Sequence, residues 1–181
     1  TIKALAIIAG QWPHSSYMIP GGVMSDPTKM DLVNMQNYLQ IAINFFEDRG
    51  YLAIDNLPVI FLPKLCETYG DNKKKVPKLA VVIDFRSYED VSEVFSALLE
   101  LKKMQIKYKI LFLDAKSEVI ISRFNLTRRK HPIREFTTLN EKVNEEKSRL
   151  SDLRIKANFV IDTSELTQKE LVERLEEFSE S

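Results

Sequence analysis

Short apolar runs alternate with segments of helical periodicity from residue 51 onward, and this alternation constrains the fold most strongly. The runs are YLAIDNL, KLAVVIDF, YKILFLDA and ANFVIDT, at residues 51–57, 78–85, 108–115 and 157–163. KLAVVIDF is almost continuously apolar, as expected of a strand that is buried on both faces. Because strands that alternate with helices form right-handed crossovers, the pattern predicts an α/β fold with a parallel sheet and helices on both faces.

The segments between and after these strands carry helix signals. Apolar residues at helical spacing, or helix-start residues, mark the segments 59–69, 87–99, 117–124, 138–155 and 167–178. Gly70 is expected to end the first of these helices. Thr167 and Glu170 have the spacing of a capping box, which predicts the start of the last helix.

Composition and length exclude several classes of protein. A chain of 181 residues can build one domain with a sizeable core. Its 26 basic and 26 acidic residues cancel, so the overall charge does not point to nucleic acid or to an acidic membrane. The single cysteine, Cys66, excludes an internal disulfide, favours a reducing compartment and is expected in the core. We expect neither a signal peptide nor a membrane span, because no apolar run is long enough to cross a bilayer.

Aspartates stand at or near the ends of the predicted strands. Asp84, Asp114 and Asp162 end three of them, and Asp55 lies in the first. In a parallel sheet with helices on both faces, ligands bind beyond the carboxyl ends of the strands. A single aspartate in such a place is also a common turn residue or helix cap. Together the four carboxylates predict a polar site at that edge, without naming its ligand.

Four strings of this sequence resemble a known family. GYLAIDNLPVIFLPKL, AVVIDFRS, ILFLDAKSEVIISRFNLTRRKHPI and FVIDTSELT, in that order, resemble the N-terminal domain of the RapZ/YvcJ family over about residues 40–181. The resemblance implies a P-loop kinase-like fold that binds ATP or GTP with Mg²⁺. It also implies a cytoplasmic regulatory role with RNA-processing partners, since some members direct a small RNA to an RNase.

The resemblance further implies nucleotide contacts in two segments. The segment regarded as a guanine-nucleotide motif in this family matches Asp84, Phe85, Arg86 and Ser87. Arg128 and Arg129 follow a predicted helix and could reach phosphates as a lid does in P-loop kinases. The alternative is a solvated helix C-terminus, where the helix dipole favours cations.

The chain departs from the family at the phosphate loop. No G-x-x-x-x-G-K-[ST] motif occurs in the sequence, and Lys29 is not at the spacing that the loop lysine would need. That loop normally cradles phosphates with backbone N–H groups and places a lysine on the terminal phosphates. We therefore expect impaired nucleotide binding and, at most, weak hydrolysis. A nucleotide or small-molecule kinase that uses Asp84 on the Mg²⁺ side is the alternative.

The opening stretch has a resemblance of its own. Residues 3–46, from ALAIIAGQWPHSSYMIPGG to QIAINFF, resemble an internal segment of the large subunit of nickel–iron hydrogenases. The matching positions are Gly10, Pro13, His14, Gly21, Gly22 and Val23. That family binds its metals through two Cys-x-x-Cys pairs, and this stretch has no cysteine. We therefore expect no nickel or iron, and a hydrogenase fragment without metal ligands is a further alternative.

The chain thus resembles a join between two unrelated sequences. A hydrogenase-like segment would occupy residues 1–46 and a RapZ-like domain without the phosphate loop residues 47–181. The join falls inside a predicted helix, and a natural fusion, a design and an artefact all remain open. Residues 2–9 could supply the central strand of the sheet or form a helix, because a short apolar run fits either structure.

Overall fold

The computed structural model describes residues 5–10, 18–19, 22–23, 37–55, 57–71, 78–83, 91–127 and 139–181. Within these ranges, seven strands occur: β1 (Leu5–Gly10), β2 (Met18–Ile19), β3 (Gly22–Val23), β4 (Tyr51–Ile54), β5 (Lys78–Val82), β6 (Lys109–Asp114) and β7 (Phe159–Asp162). Five of them form one sheet in the order β4-β5-β1-β6-β7. Every neighbouring pair in this sheet is parallel, which confirms the predicted parallel sheet. Strands β2 and β3 form a separate antiparallel pair.

Helices cover both faces of the sheet. They are α1 (Asn37–Asp48), α2 (Leu62–Asp71), α3 (Ser92–Lys103), α4 (Ser117–Thr127), α5 (Leu139–Lys156) and α6 (Gln168–Glu180), and a 3-10 turn (Val59–Phe61) precedes α2. Helices α1 and α6 pack on one face, and α2, α3 and α5 pack on the other. None of the helices in the described ranges is long and apolar enough to cross a membrane.

Strand β1 occupies the centre of the sheet. It pairs with β5 on one side and with β6 on the other. Ala6 and Ile8 face the layer of α1 and α6, Ile7 faces the opposite layer, and all three side chains are buried. Residues 5–10 therefore form the central strand, since without them β5 and β6 would face a gap with unpaired backbone groups.

The ends of several elements differ from the sequence-based boundaries. The predicted helix 59–69 begins as the 3-10 turn, and α2 continues to Asp71. The prediction that Gly70 ends this helix was therefore wrong by one residue. A glycine in a last turn costs little beside the burial of Leu62 and Cys66, which fixes the helix on the sheet. The expected helix start at Ser87 lies outside the described residues.

Two predicted details are confirmed. Cys66 is buried in the core, and burial raises the pKa of its thiol to about 11. At the start of α6, Thr167 N–H donates to Glu170 Oε2 at 2.7 Å, and Glu170 N–H donates to Thr167 Oγ1 at 3.3 Å. The hydrogen bonds from the Thr167 backbone and hydroxyl hold the pKa of Glu170 below its usual value.

Two residues adopt left-handed backbone conformations, and this leads to a paired stability prediction. Gly50 has φ 76° and Gln105 has φ 58°. We expect Gly50→Ala to lower the free energy of unfolding by about 1 kcal/mol, because a Cβ there meets no atom within 4 Å and only the backbone is strained. Gln105→Gly should raise it by about 0.5 kcal/mol, because relief of strain exceeds the added entropy of the unfolded chain.

Urea denaturation of both variants beside the parent chain measures the two shifts. The hydrogen bonds around Gln105 resemble those of a Schellman motif, with Gln105 N–H on Lys102 O and Ile106 N–H on Leu101 O, both at 3.0 Å. Shifts of the same sign in the two variants would contradict the prediction.

Candidate functional site

The carboxylates predicted at the strand ends fall into separate groups. Asp114 and Asp162 end the neighbouring strands β6 and β7 and are paired in register. Asp55 follows β4, which two strands, β5 and β1, separate from β6. Three strand spacings amount to about 14 Å, so Asp55 lies at the same edge but far from the other two. Asp55 is exposed, and Asp84 lies outside the described residues.

Both oxygens of the Asp114 carboxylate contact cations from α5. Lys147 Nζ lies 3.2 Å from Asp114 Oδ1, and Arg154 Nε donates to Oδ2 at 2.9 Å. Oδ1 also accepts from the backbone N–H of Ala115 at 2.8 Å. The Asp114 side chain is only 14% exposed, whereas that of Arg154 is 52% exposed. This carboxylate is thus occupied by internal partners, and it anchors α5 to the end of β6.

Asp162 forms a local turn with Ser164. Its Oδ1 accepts from the Ser164 backbone N–H at 2.9 Å and from the Ser164 hydroxyl. Partial burial by itself would raise the pKa of Asp162. The two hydrogen bonds from Ser164, helped by the charges of Lys116 and Lys147, outweigh burial and hold this pKa below its usual value.

Hydrogen bonds join the loops that follow β6 and β7. The backbone N–H and the hydroxyl of Thr163 both donate to Asp114 O, at 2.8 and 3.0 Å. Lys116 N–H donates to Ser164 Oγ at 2.7 Å, and Lys116 Nζ donates to Glu165 Oε1 at 2.6 Å. The hydrogen bond to Glu165 is the main reason that the pKa of Lys116 is raised. The two loops therefore form one connected platform at the carboxyl edge.

The first turn of α1 reaches the same edge. Because α1 ends at Asp48, just before β4 begins, it runs antiparallel to the strands and its N-terminus lies at their carboxyl ends. The Tyr38 hydroxyl donates to Leu166 O, in the loop between β7 and α6, at 2.5 Å. No acidic residue lies in the first turn of α1. The positive end of this helix dipole is therefore not neutralised by its own side chains.

Reasoning from the sequence missed most partners of these aspartates. Lys147 and Arg154 lie in the predicted helix 138–155, and neither was predicted as a site residue. A signal was available in their spacing, because Val143, Lys147, Leu150 and Arg154 recur at i, i+4, i+7 and i+11. Val143 and Leu150 are buried, so this stripe of α5 faces the sheet. Cations on a buried stripe indicate a carboxylate opposite them.

The residues predicted to contact a nucleotide lie outside the described residues. They are Asp84, Phe85, Arg86, Ser87, Arg128 and Arg129. The chain is described up to Ile83, whose backbone N–H donates to Ile8 O in β1 at 3.0 Å. The described chain therefore runs beside the central strand until one residue before Asp84. In the ranges that the structure describes, no group of three or more His, Cys, Asp or Glu residues could hold a metal ion.

Solved structures with low sequence identity share this fold. A tunicamycin resistance protein from Deinococcus radiodurans aligns with a TM-score of 0.53 at 12% identity, covering 98% of this chain and 96% of its own. Shikimate kinase from Bacteroides thetaiotaomicron aligns with a TM-score of 0.50 at 10% identity, covering 98% and 99%. With the parallel sheet and its helices, these similarities identify an α/β fold of the P-loop kinase type.

Sequence comparison identifies much closer relatives. A nucleotide-binding protein of Caldicellulosiruptor bescii is 44% identical over 137 residues, or 75% of this chain and 47% of the relative. Nucleotide-binding proteins of Caldanaerobacter subterraneus and Clostridium acetobutylicum are each 42% identical over 134 residues, or 74% of this chain and 47% and 46% of the relatives. The chain thus spans about half the length of the curated relatives that it matches.

The family comparison covers most of the chain. The profile described as RapZ-like N-terminal domain matches residues 39–181, and residues 1–38 lie outside the match. The match begins inside α1 and includes β4 to β7 and α2 to α6. On this match and the identity with its relatives, the chain belongs to the RapZ-like N-terminal domain family.

Proposed function

We propose that this domain binds ATP or GTP with Mg²⁺ at the carboxyl edge of its sheet, as a regulatory domain with weakened phosphate binding. The observation that carries the proposal is the position of β1 at the centre of the sheet, between β5 and β6. Its carboxyl end and the first turn of α1 lie at one edge of the sheet. Relatives at 40–44% identity are named nucleotide-binding proteins, which supports the same class of ligand here.

The proposed site divides between the base and the phosphates. Asp84, Phe85, Arg86 and Ser87 would contact the base side, and Arg128 with Arg129 would approach the phosphates. Asp114 contributes to the platform at the site's edge but is not available to Mg²⁺, because both its oxygens contact cations of α5. Asp162 is likewise engaged by Ser164. Only in the kinase-like alternative would Asp84 take the Mg²⁺ side instead.

The phosphate cradle lacks its strongest donors. The first turn of α1 carries no acidic side chain that would repel an anion at this edge. The sequence has no loop lysine and no glycine-rich loop of the required spacing. Each charge-assisted hydrogen bond to phosphate contributes about 1.5–3 kcal/mol, so losing three weakens binding by more than about 1,000-fold.

Nucleotide titration tests the proposal directly. Because of the missing donors, we expect the dissociation constant for Mg-ATP or Mg-GTP to be about 1 mM or higher, with undetectable hydrolysis. Titration followed by NMR chemical shifts covers this range.

Arg128→Ala with Arg129→Ala should weaken binding further. Arg149→Ala is the matched control, because Arg149 pairs with Glu145 on the exposed side of α5.

Two outcomes would overturn this account. Micromolar affinity in the unmodified chain would mean that residues 11–36 do cradle phosphate, for example through the backbone at Pro20, Gly21 and Gly22. An arginine pair whose removal leaves the affinity equal to that of Arg149→Ala would remove these residues from the site.

A second part of the proposal concerns the role of a longer protein that contains such a domain. We propose a cytoplasmic regulatory role resembling that of an RNase adapter, with RNA-processing partners. This rests on family membership, and the match covers only about half of each relative.

A kinase-like enzyme is less favoured, because phosphoryl transfer needs the lysine that is missing. The resemblance of residues 3–46 to a hydrogenase supports no metal chemistry, and elemental analysis for nickel and iron tests this.

A further inference from the structure

A long connection joins strand β1 to the rest of the domain. The strand ends at Gly10 and α1 begins at Asn37, so 26 residues separate the two elements. Strands β2 and β3 lie in this stretch and pair with each other. Connections within compact domains are typically about 4–6 residues long. Because β1 ends and α1 begins at the same edge of the sheet, the connection is several times longer than joining them requires.

The place that β1 fills is built by another part of the chain. Strands β5 and β6 pair with β1 on its two sides, and the helices that cover it lie in residues 37–181. The family match begins at residue 39, so it includes β5 and β6 but not β1. The slot between β5 and β6 is therefore a feature of the RapZ-like part of the chain, and β1 enters it as a separate strand.

The slot holds β1 through backbone pairing and buried side chains. The strand is in register with β5 from Leu5 to Ile8 and with β6 from Ala6 to Gly10. The side chains of Ala6, Ile7 and Ile8 are at most 4% exposed. These interactions do not require that strand and slot belong to one molecule. A second copy of the chain offers the same strand to the same partners, which is the physical basis of domain swapping.

The connection is long enough to reach a neighbouring molecule. With the pairing of β2 and β3 kept, the 20 residues outside this pair, 11–17 and 24–36, span up to about 66 Å when extended. A domain of this length is about 40 Å across. A long connection also lowers the effective concentration of β1 at its own slot, by about tenfold relative to a loop of five residues. A neighbour at high concentration can therefore compete for the strand.

We propose that the slot between β5 and β6 also accepts β1 of a second copy of this chain, so that two molecules exchange central strands and form a dimer. Each sheet keeps the order β4-β5-β1-β6-β7, with β1 supplied by the other molecule. Because β1 must leave the centre of one sheet to enter another, exchange passes through largely unfolded chains and is slow. A dimer formed at high concentration therefore persists when it is diluted. The proposal does not depend on nucleotide binding.

Cysteines in one row of the sheet test the exchange. Ala6, Ala80 and Ala53 lie side by side on β1, β5 and β4 and belong to the same apolar layer. Ala6 and Ala80 are neighbours at a separation that a disulfide can bridge, whereas Ala6 and Ala53 are two strand spacings, about 10 Å, apart. Chains with Ala6→Cys alone are mixed with chains with Ala80→Cys alone, refolded together from urea and then oxidised briefly with oxidised glutathione. Non-reducing gel electrophoresis measures the disulfide-linked dimer.

We expect this mixture to give a linked dimer, because β1 of one chain then lies beside β5 of the other. Its fraction should rise about tenfold when the chain concentration is raised from about 10 to about 100 µM, as mass action requires while the dimer is the minor species. The matched control mixes Ala6→Cys with Ala53→Cys, which carries the same number of thiols, and should give no linked dimer. Absence of the linked dimer up to the solubility limit, or equal amounts in the two mixtures, overturns the proposal.

Two further measurements separate exchange from effects of the cysteines on folding. One chain with both Ala6→Cys and Ala80→Cys, folded at about 1 µM, should close the disulfide within a monomer, because β1 is then in its own slot. A chain that leaves both thiols free would place β1 elsewhere and overturn the proposal. The unmodified chain, refolded at high concentration, should show a dimer by light scattering that persists for hours after dilution. No dimer, or one that dissociates at once, also overturns the proposal, since rapid dissociation indicates contact between surfaces.

Discussion

Replacing the residues between Ala9 and α1 with a Gly-Ser-Gly-Lys-Ser loop should tighten nucleotide binding by more than about 1,000-fold. Strand β1 ends at Gly10, and α1 begins at the same edge of the sheet, so the graft would connect two elements that are already in place. The loop would supply backbone N–H groups, a lysine for the terminal phosphates and a hydroxyl for Mg²⁺. Isothermal titration calorimetry with Mg-ATP and Mg-GTP measures the gain.

The control for this graft is the same loop with alanine in place of its lysine. It should recover only part of the affinity, because the backbone N–H groups return without the positive charge. Comparing ATP with GTP in the grafted chain would also show which base the site prefers. A folded graft that gains less than tenfold would mean that the rest of the site is absent.

Phe46→Ala should lower the free energy of unfolding by about 3–5 kcal/mol, as expected for an aromatic side chain removed from a core. Phe46 is fully buried in α1 and contacts three other rings. Its ring centroid lies 5.4 Å from that of Phe45, 5.1 Å from that of Tyr51 and 6.1 Å from that of Phe178. The cluster unites α1, β4 and α6.

Phe61→Ala is the matched control, because Phe61 is 57% exposed in the 3-10 turn. It should change the free energy of unfolding by no more than about 0.5 kcal/mol. Urea denaturation of both variants gives the comparison. A loss below about 1 kcal/mol for Phe46→Ala would mean that α1 does not pack on the sheet through this residue.

The parallel sheet could be predicted from four apolar runs, but its central strand could not. The run from residue 5 to residue 10 is rich in alanine and fits a helix as well as a strand. The neighbouring strands select the strand conformation, because β5 and β6 each offer a row of backbone donors and acceptors that only another strand can satisfy. The conformation of residues 5–10 is therefore set by tertiary contacts, and it cannot be predicted from the local sequence.

The candidate site was predictable only in part. The positions of Asp114 and Asp162 followed from strand ends, and the structure brings them together. Their partners come from α5 and from the loop after β7, and these long-range pairings have no local signature. The link between Tyr38 and Leu166 spans 128 residues, and it depends on how α1 and α6 pack side by side.

The central place of β1 has a consequence for synthesis on the ribosome. The partners of β1 are made late, since β5 begins 68 residues after Gly10 and β6 begins 99 residues after it. At translation rates of about 5–20 residues per second, β1 waits about 5–20 s for its second neighbour. Until β5 is made both edges of this apolar strand are unpaired, and one edge stays unpaired until β6 is made, so the strand can associate with other chains. Strand β1 is thus translated before both of its neighbours, and its backbone groups are satisfied only when β6 has been added.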